Sequence, residues 1–146
     1  MYFDDIKLNT AVDIPPAVID RDKMIAFAEE YDSIPLHMDE EYAANSPFGA
    51  LIAPGVMSFM AVWNNFLKMD VFEGQLLVGK STSMEWLKPV YAGDVLTGQA
   101  VFTKLTPRNA KNGPAEITVY IHNQKGELVL TDVTELVIKR RPQENA

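Results

Sequence analysis

The chain has 146 residues, enough for one domain at about 150 residues each, and its 47% hydrophobic and 23% charged content excludes disorder and fibrous repeats. It has no cysteine, which excludes disulfide staples, thiolate nucleophiles and zinc sites built on thiolates. A formal charge of −7 and a pI near 4.7 argue against nucleic acid and anionic lipid surfaces as partners, because binding either needs a basic footprint.

Residues 1–7 mix Asp4, Asp5 and Lys7 with aromatic side chains. They carry neither the basic start nor the apolar run of a secretion signal, which points to the cytoplasm. Residues 2–8 read as a short strand, and Pro15 and Pro16 forbid regular structure in the loop that follows. Asp20 can cap a helix running to about Tyr31, with Met24, Phe27, Ala28 and Tyr31 on its buried face. Pro35 and His37 fall in an irregular piece. Asp39 then caps one or two further helical turns, ended by Pro47 and Gly49. Pro54 and Gly55 introduce residues 56–69, whose apolar side chains occupy nearly every side of a helix, so that helix must be surrounded by protein. The apolar stretch 50–63 is too short to span a bilayer.

The second half is rich in β-formers over residues 75–87, 96–105, 116–123 and 128–138, each a predicted strand. Ile117, Val119 and Ile121 alternate with Glu116, Thr118, Tyr120 and His122, giving a sheet with one dry and one wet face. Residues 92–94 and 123–126 read as turns. The elements describe one α+β domain over residues 1–146, with four or five mostly antiparallel strands curled around the helix after Gly55.

Candidates for chemistry are few. His122 belongs to the wet face of its strand and reads as a surface residue. His37 sits between two helices, five residues after Asp32, with Pro35 fixing the backbone between them. A carboxylate beside an imidazole can hold one water, one group taking a proton from it while the other delivers a proton elsewhere. The bland alternative is that Asp32 only ends a helix and His37 only bridges to backbone. Gly55 exposes a backbone N–H at the positive end of its helix, where an oxygen gaining negative charge is stabilised; otherwise it is a plain turn glycine after Pro54. Lys139, Arg140 and Arg141 form the single basic cluster, either a solvated tail or a phosphate contact. Met57, Met60, Trp63 and Phe66 are either plain core or the lining of an acyl tunnel.

Residues 27–43, which include Tyr31-Asp32-Ser33-Ile34-Pro35-Leu36-His37, are followed by Phe48-Gly49 and Ile52-Ala53-Pro54-Gly55. Together they resemble the hydratase motif of the MaoC-like dehydratases, hotdog-fold proteins that include the (R)-specific enoyl-CoA hydratases. Leu87-Lys88-Pro89-Val90-Tyr91-Ala92-Gly93-Asp94 and Asn123-Gln124-Lys125-Gly126-Glu127 are similar as well, so the resemblance covers nearly the whole chain. It implies a hotdog dimer or higher oligomer, a catalytic dyad of Asp32 and His37, and the Gly55 amide as oxyanion-hole donor. The implied reaction is reversible syn hydration of a trans-2-enoyl thioester of coenzyme A or acyl carrier protein to the (3R)-3-hydroxyacyl thioester. No metal or redox cofactor is implied. The chain departs from the family pattern at Tyr31, where glycine is common, and at Pro54, where histidine is frequent. It also departs at Ile34, which replaces an asparagine amide by a group with no hydrogen bonds. Two other readings are an acyl-CoA thioesterase on the same fold and a non-catalytic acyl-thioester-binding protein or partner subunit of another hotdog chain.

Overall fold

Residues 2–8 do not form a strand. In the computed structural model, which describes residues 1–143, Phe3–Asp5 is a single 3-10 turn, closed by Asp5 Oδ2 accepting from the Tyr2 N–H at 2.9 Å. Charge pairing explains the difference. Asp4 accepts from Arg140 at 2.7 Å and Asp5 from Arg141 at 2.5 Å, while Phe3 is buried. A turn lets both carboxylates face the end of the chain with Phe3 beneath them. The hydrogen bonds from Arg140 and Arg141 hold the two carboxyls below the usual aspartate value.

The first strand, β1 (Ala11–Val18), instead contains the two prolines expected to forbid it. It survives because it is an edge strand. The sheet order is β1-β3-β4-β5-β2, where β2 is Leu76–Trp86, β3 Val95–Leu105, β4 Asn112–His122 and β5 Leu128–Lys139. All neighbours are antiparallel. Pro15 and Pro16 coincide with a register shift between Ile14 and Ala17. An edge strand loses little ladder bonding to a proline at such a bulge. The proline carbonyls are used elsewhere, both accepting from Asn65 Nδ2 at 3.1 Å.

Asn65 belongs to α4 (Gly55–Lys68), the longest helix, which buries Ser58, Phe59, Val62, Trp63 and Phe66. The dry face of the sheet meets it, with Ile117, Val119 and Ile121 fully buried as the alternation in β4 requires. Rings continue the packing from Phe59 through Trp63 and Phe66 to Phe72 and Phe102, which makes Trp63 and Phe66 core. The helix is not surrounded, however. Val56, Met60 and Leu67 remain 42%, 45% and 39% exposed, because the sheet of one chain covers one side of α4 and leaves the opposite apolar stripe bare.

At the other end of the sheet order, among the described residues β2 pairs only with β5, so one of its sides is a free edge and Leu77 and Val78 are exposed. Beneath it Asp132 is buried, accepting from the hydroxyls of Thr82 and Thr134. Burial pushes its carboxyl above the usual aspartate value against the opposing effect of the two hydroxyls.

Helix α1 (Arg21–Tyr31) starts where expected, with the Asp20 side chain accepting from Lys23 N–H at 2.9 Å. It buries Met24 and Ala28, whereas Tyr31 is 71% exposed, its ring against Phe27.

The placement of α4 depends on Gly98 in β3. A Cβ there would lie 2.6 Å from Val62 Cγ1 and 3.1 Å from Ile14 Cδ1, so Gly98→Ala forces the helix away from the sheet. The expected loss is about 1–3 kcal/mol of stability, read from the urea unfolding midpoints of the two proteins. An unchanged midpoint would contradict this packing.

Candidate active site

Asp32 stands where α1 stops. Its N–H still donates to the Ala28 carbonyl at 2.9 Å, but its backbone has left the helical region (φ −156°, ψ 67°). The Ser33 hydroxyl covers the last carbonyls, lying 3.0 Å from Ala28 O and 3.2 Å from Glu29 O. The Ile34 N–H donates to Asp32 O at 2.8 Å. The next piece is helical rather than irregular: Pro35–Met38 forms α2, because proline suits the first position of a helix and the Asp39 N–H closes the turn on Pro35 O at 2.9 Å. Asp39 then caps α3 (Glu40–Ala44) through the Tyr42 N–H.

This bend delivers His37 to the interior, where the residue is 5% exposed. Its Nδ1 lies 2.7 Å from Ile52 O. A carbonyl only accepts, so Nδ1 carries a proton in this contact and the chemistry of the ring is left to Nε2. Ile52 is itself fixed: its N–H donates to Leu36 O at 3.1 Å, the next N–H, of Ala53, donates to Val90 O at 2.7 Å, and it bridges to Tyr91. Nε2 points at Asp32 Oδ2, 3.4 Å away, the imidazole side chain 7% and the carboxylate side chain 38% exposed. The pair therefore has a dry end and a wet end, at a separation wider than a close charge-assisted hydrogen bond.

The wet end opens into a cleft of about 450 Å³ whose lining includes Asp32, His37, Gly55, Ser58 and Trp86. Gly55 is the first residue of α4, so its N–H belongs to the group that lacks intrahelical partners. Ser58, one turn later, is buried and donates to Pro54 O at 3.2 Å. The indole of Trp86 lies against Gly55. Its Cδ1 is 2.8 Å from the point a Cβ would occupy there, and Cε2 and Nε1 are closer still. Gly55 is therefore not a turn glycine: it lies within α4, and any Cβ there would have to displace the indole.

The structure brings Asp32, His37 and Gly55 to one cleft. Ser58 and Trp86 are added to it, and neither was singled out from the sequence. Ser58 was within reach, since its three-residue spacing from Gly55 puts both on one side of a helix. Ile34 and Tyr31, the two departures near Asp32, line no part of the cleft and are 45% and 71% exposed. His122, half-buried at the end of β4, does not line it either. Arg140 and Arg141 are paired with Asp4 and Asp5. Lys88, on the cleft wall, is held by Glu127 at 2.6 Å, a hydrogen bond that lowers the Glu127 carboxyl below its usual value.

The sequence profile of the MaoC like domain matches residues 6–124. The (R)-specific enoyl-CoA hydratase of Rhodospirillum rubrum is 26% identical over 106 residues, covering 73% of this chain and 72% of that protein. The uncharacterized protein YdeM of Bacillus subtilis is 23% identical over 141 residues, covering 96% of this chain and all of that one. Among solved structures, a MaoC-like dehydratase from Rhodospirillum rubrum superposes with a TM-score of 0.89 at 26% identity, covering 98% of this chain and 99% of that one. The five-stranded antiparallel sheet and its long helix are the hotdog fold of these relatives.

Gly55→Ala should drive the Trp86 indole off the start of α4. The expected sign is a red shift of the tryptophan emission that disappears when the same change is made in a Trp86→Phe background. Identical emission from the Gly55→Ala and wild-type proteins would contradict the contact.

Proposed function

The chain belongs to the MaoC-like domain family, and from that premise we propose that it interconverts a trans-2-enoyl thioester and the corresponding (3R)-3-hydroxyacyl thioester. The observation that carries the reading is the approach of His37 Nε2 to Asp32 Oδ2 at 3.4 Å on the wall of the cleft that Gly55 also lines. The hydratase and dehydratase names of the relatives support it.

In the hydration direction the thioester oxygen rests on the Gly55 N–H, and one water lies beside the pair, within reach of both Asp32 Oδ2 and His37 Nε2. With the proton that the pair shares placed on Nε2, Asp32 Oδ2 takes a proton from the water as its oxygen bonds to C3. The electron pair of the C2–C3 double bond moves to C2, with negative charge reaching the thioester oxygen. Nε2–H then gives its proton to C2, and the Asp32 carboxyl returns a proton to Nε2. One water is consumed and the protein is unchanged. Because Asp32 and His37 reach the acyl group from the same side, hydrogen and hydroxyl add to one face, which is syn addition. Acid–base help of this kind contributes about 10²–10⁴-fold, and a single oxyanion donor about 10²–10³-fold. No step calls for a metal or redox cofactor.

The acting unit in this proposal is a homodimer in the cytoplasm. The free edge of β2 exposes unpaired backbone groups, and the bare stripe of Val56, Met60 and Leu67 adds apolar surface. Such an edge is a template for pairing with another chain, and a second copy satisfies both features at once. The expected native mass is twice the 16.3 kDa of the chain, measured by light scattering; a monomer at working concentration would contradict it.

The test of the reaction is loss of the conjugated-thioester absorbance of crotonyl-CoA. Asp32→Asn should lower kcat by about 10²–10⁴-fold at unchanged melting temperature. His37→Ala should lower kcat by a similar factor, while also removing the partner of the Ile52 carbonyl at a stability cost of about 1–3 kcal/mol. Free thiol release in place of hydration would establish a thioesterase. A ligand-raised melting temperature without conversion would establish a binding protein. Full activity in Asp32→Asn would remove the assignment.

A further inference from the structure

Trp86 is a large aromatic residue in an unusual place. It is the last residue of β2, on the free-edge strand, and is 54% exposed. Its backbone is held on one side by pairing with Leu130, and the next N–H, of Leu87, donates to Val129 O at 2.9 Å. That fixes where the side chain leaves the sheet. The indole contributes nothing to the core between sheet and helix, and among the described residues its N–H has no hydrogen-bond partner. What it does touch is Gly55, with the five-membered part of the ring nearest the glycine, and it lines the same cleft as Asp32 and His37.

We propose that Trp86 determines which acyl groups the site accepts at C2: it admits thioesters with hydrogen there and excludes those carrying a methyl branch. The inference rests on the hydratase reading, in which the thioester oxygen sits on the Gly55 N–H. Given that seat, the carbonyl carbon and C2 are the acyl atoms closest to Gly55, one and two bonds from the anchored oxygen. C2 must also lie within reach of His37 Nε2 to receive a proton. Those two requirements hold C2 near the ring that covers Gly55. A planar C2–H has a thin profile that fits against a flat aromatic surface, whereas a methyl group needs space that the indole occupies. Trp86 thus acts on the bond-forming region of the substrate, and atoms further along the acyl chain are beyond its contact.

Discrimination by one methyl group in a packed pocket is about 10–200-fold. The test compares kcat/KM for crotonyl-CoA and for its 2-methyl derivative in the wild type, Trp86→Ala and Trp86→Leu. The wild type should prefer crotonyl-CoA, and both variants should relax that preference at least tenfold by gaining on the branched substrate. Because the result is a ratio within each protein, a partly unfolded sample cancels from it. An unchanged ratio in both variants would overturn the proposal. Calorimetric binding of butyryl-CoA and 2-methylbutyryl-CoA, which needs no turnover, separates this inference from the reaction. Relaxed binding selectivity in a protein that hydrates nothing would uphold the role of Trp86 and sink the hydratase reading. Turnover with unrelaxed selectivity would uphold the reaction and sink the role of Trp86.

Discussion

A 2.7 Å contact between His37 Nδ1 and the Ile52 carbonyl sets how the imidazole is presented to Asp32 and the cleft. It fixes the ring plane and puts a proton on the buried nitrogen, so Nε2 is the atom turned toward Asp32. Without it nothing would select which ring nitrogen faces Asp32 at the 3.4 Å approach to the carboxylate. The carbonyl is reliable because Ile52 is held from both sides, by Leu36 in α2 and by the segment containing Val90 and Tyr91. The helical bend carries the imidazole while the extended segment aims it.

A single chain leaves two surfaces unfinished. The edge of β2 lacks a pairing partner, and α4 shows an apolar stripe to solvent. Trp86 stands on that edge strand, and Gly55, beneath its indole, opens α4. The proposed dimer and the proposed selectivity of the cleft therefore draw on the same region of the molecule.

Much of this was legible in the sequence wherever periodicity had a single cause. The alternation of β4 and the largely apolar character of α4 predicted the sheet and the helix lying on it, and the Asp20 cap predicted the start of α1. The expectation failed where a partner distant in sequence decided the outcome. The N-terminal segment turns because Arg140 and Arg141 lie across from Asp4 and Asp5. Pro15 and Pro16 sit in a strand because that strand is at an edge and the α4 residue Asn65 takes up their carbonyls. The Pro35–Met38 piece is helical rather than irregular because proline suits the first position of a helix. Within the cleft, the spacing of Asp32, Pro35 and His37 singled out the pair, but nothing local placed Trp86 over Gly55, since that contact joins residues 31 positions apart.

The most direct measurement is a crystal structure of Asp32→Asn soaked with crotonyl-CoA, in which slow turnover lets the substrate be seen. The account predicts the thioester oxygen within hydrogen-bond distance of the Gly55 N–H. It also predicts C3 beside a water that touches both residue 32 and His37 Nε2. A thioester bound with its carbonyl away from the start of α4, or with C3 out of reach of that water, would contradict it.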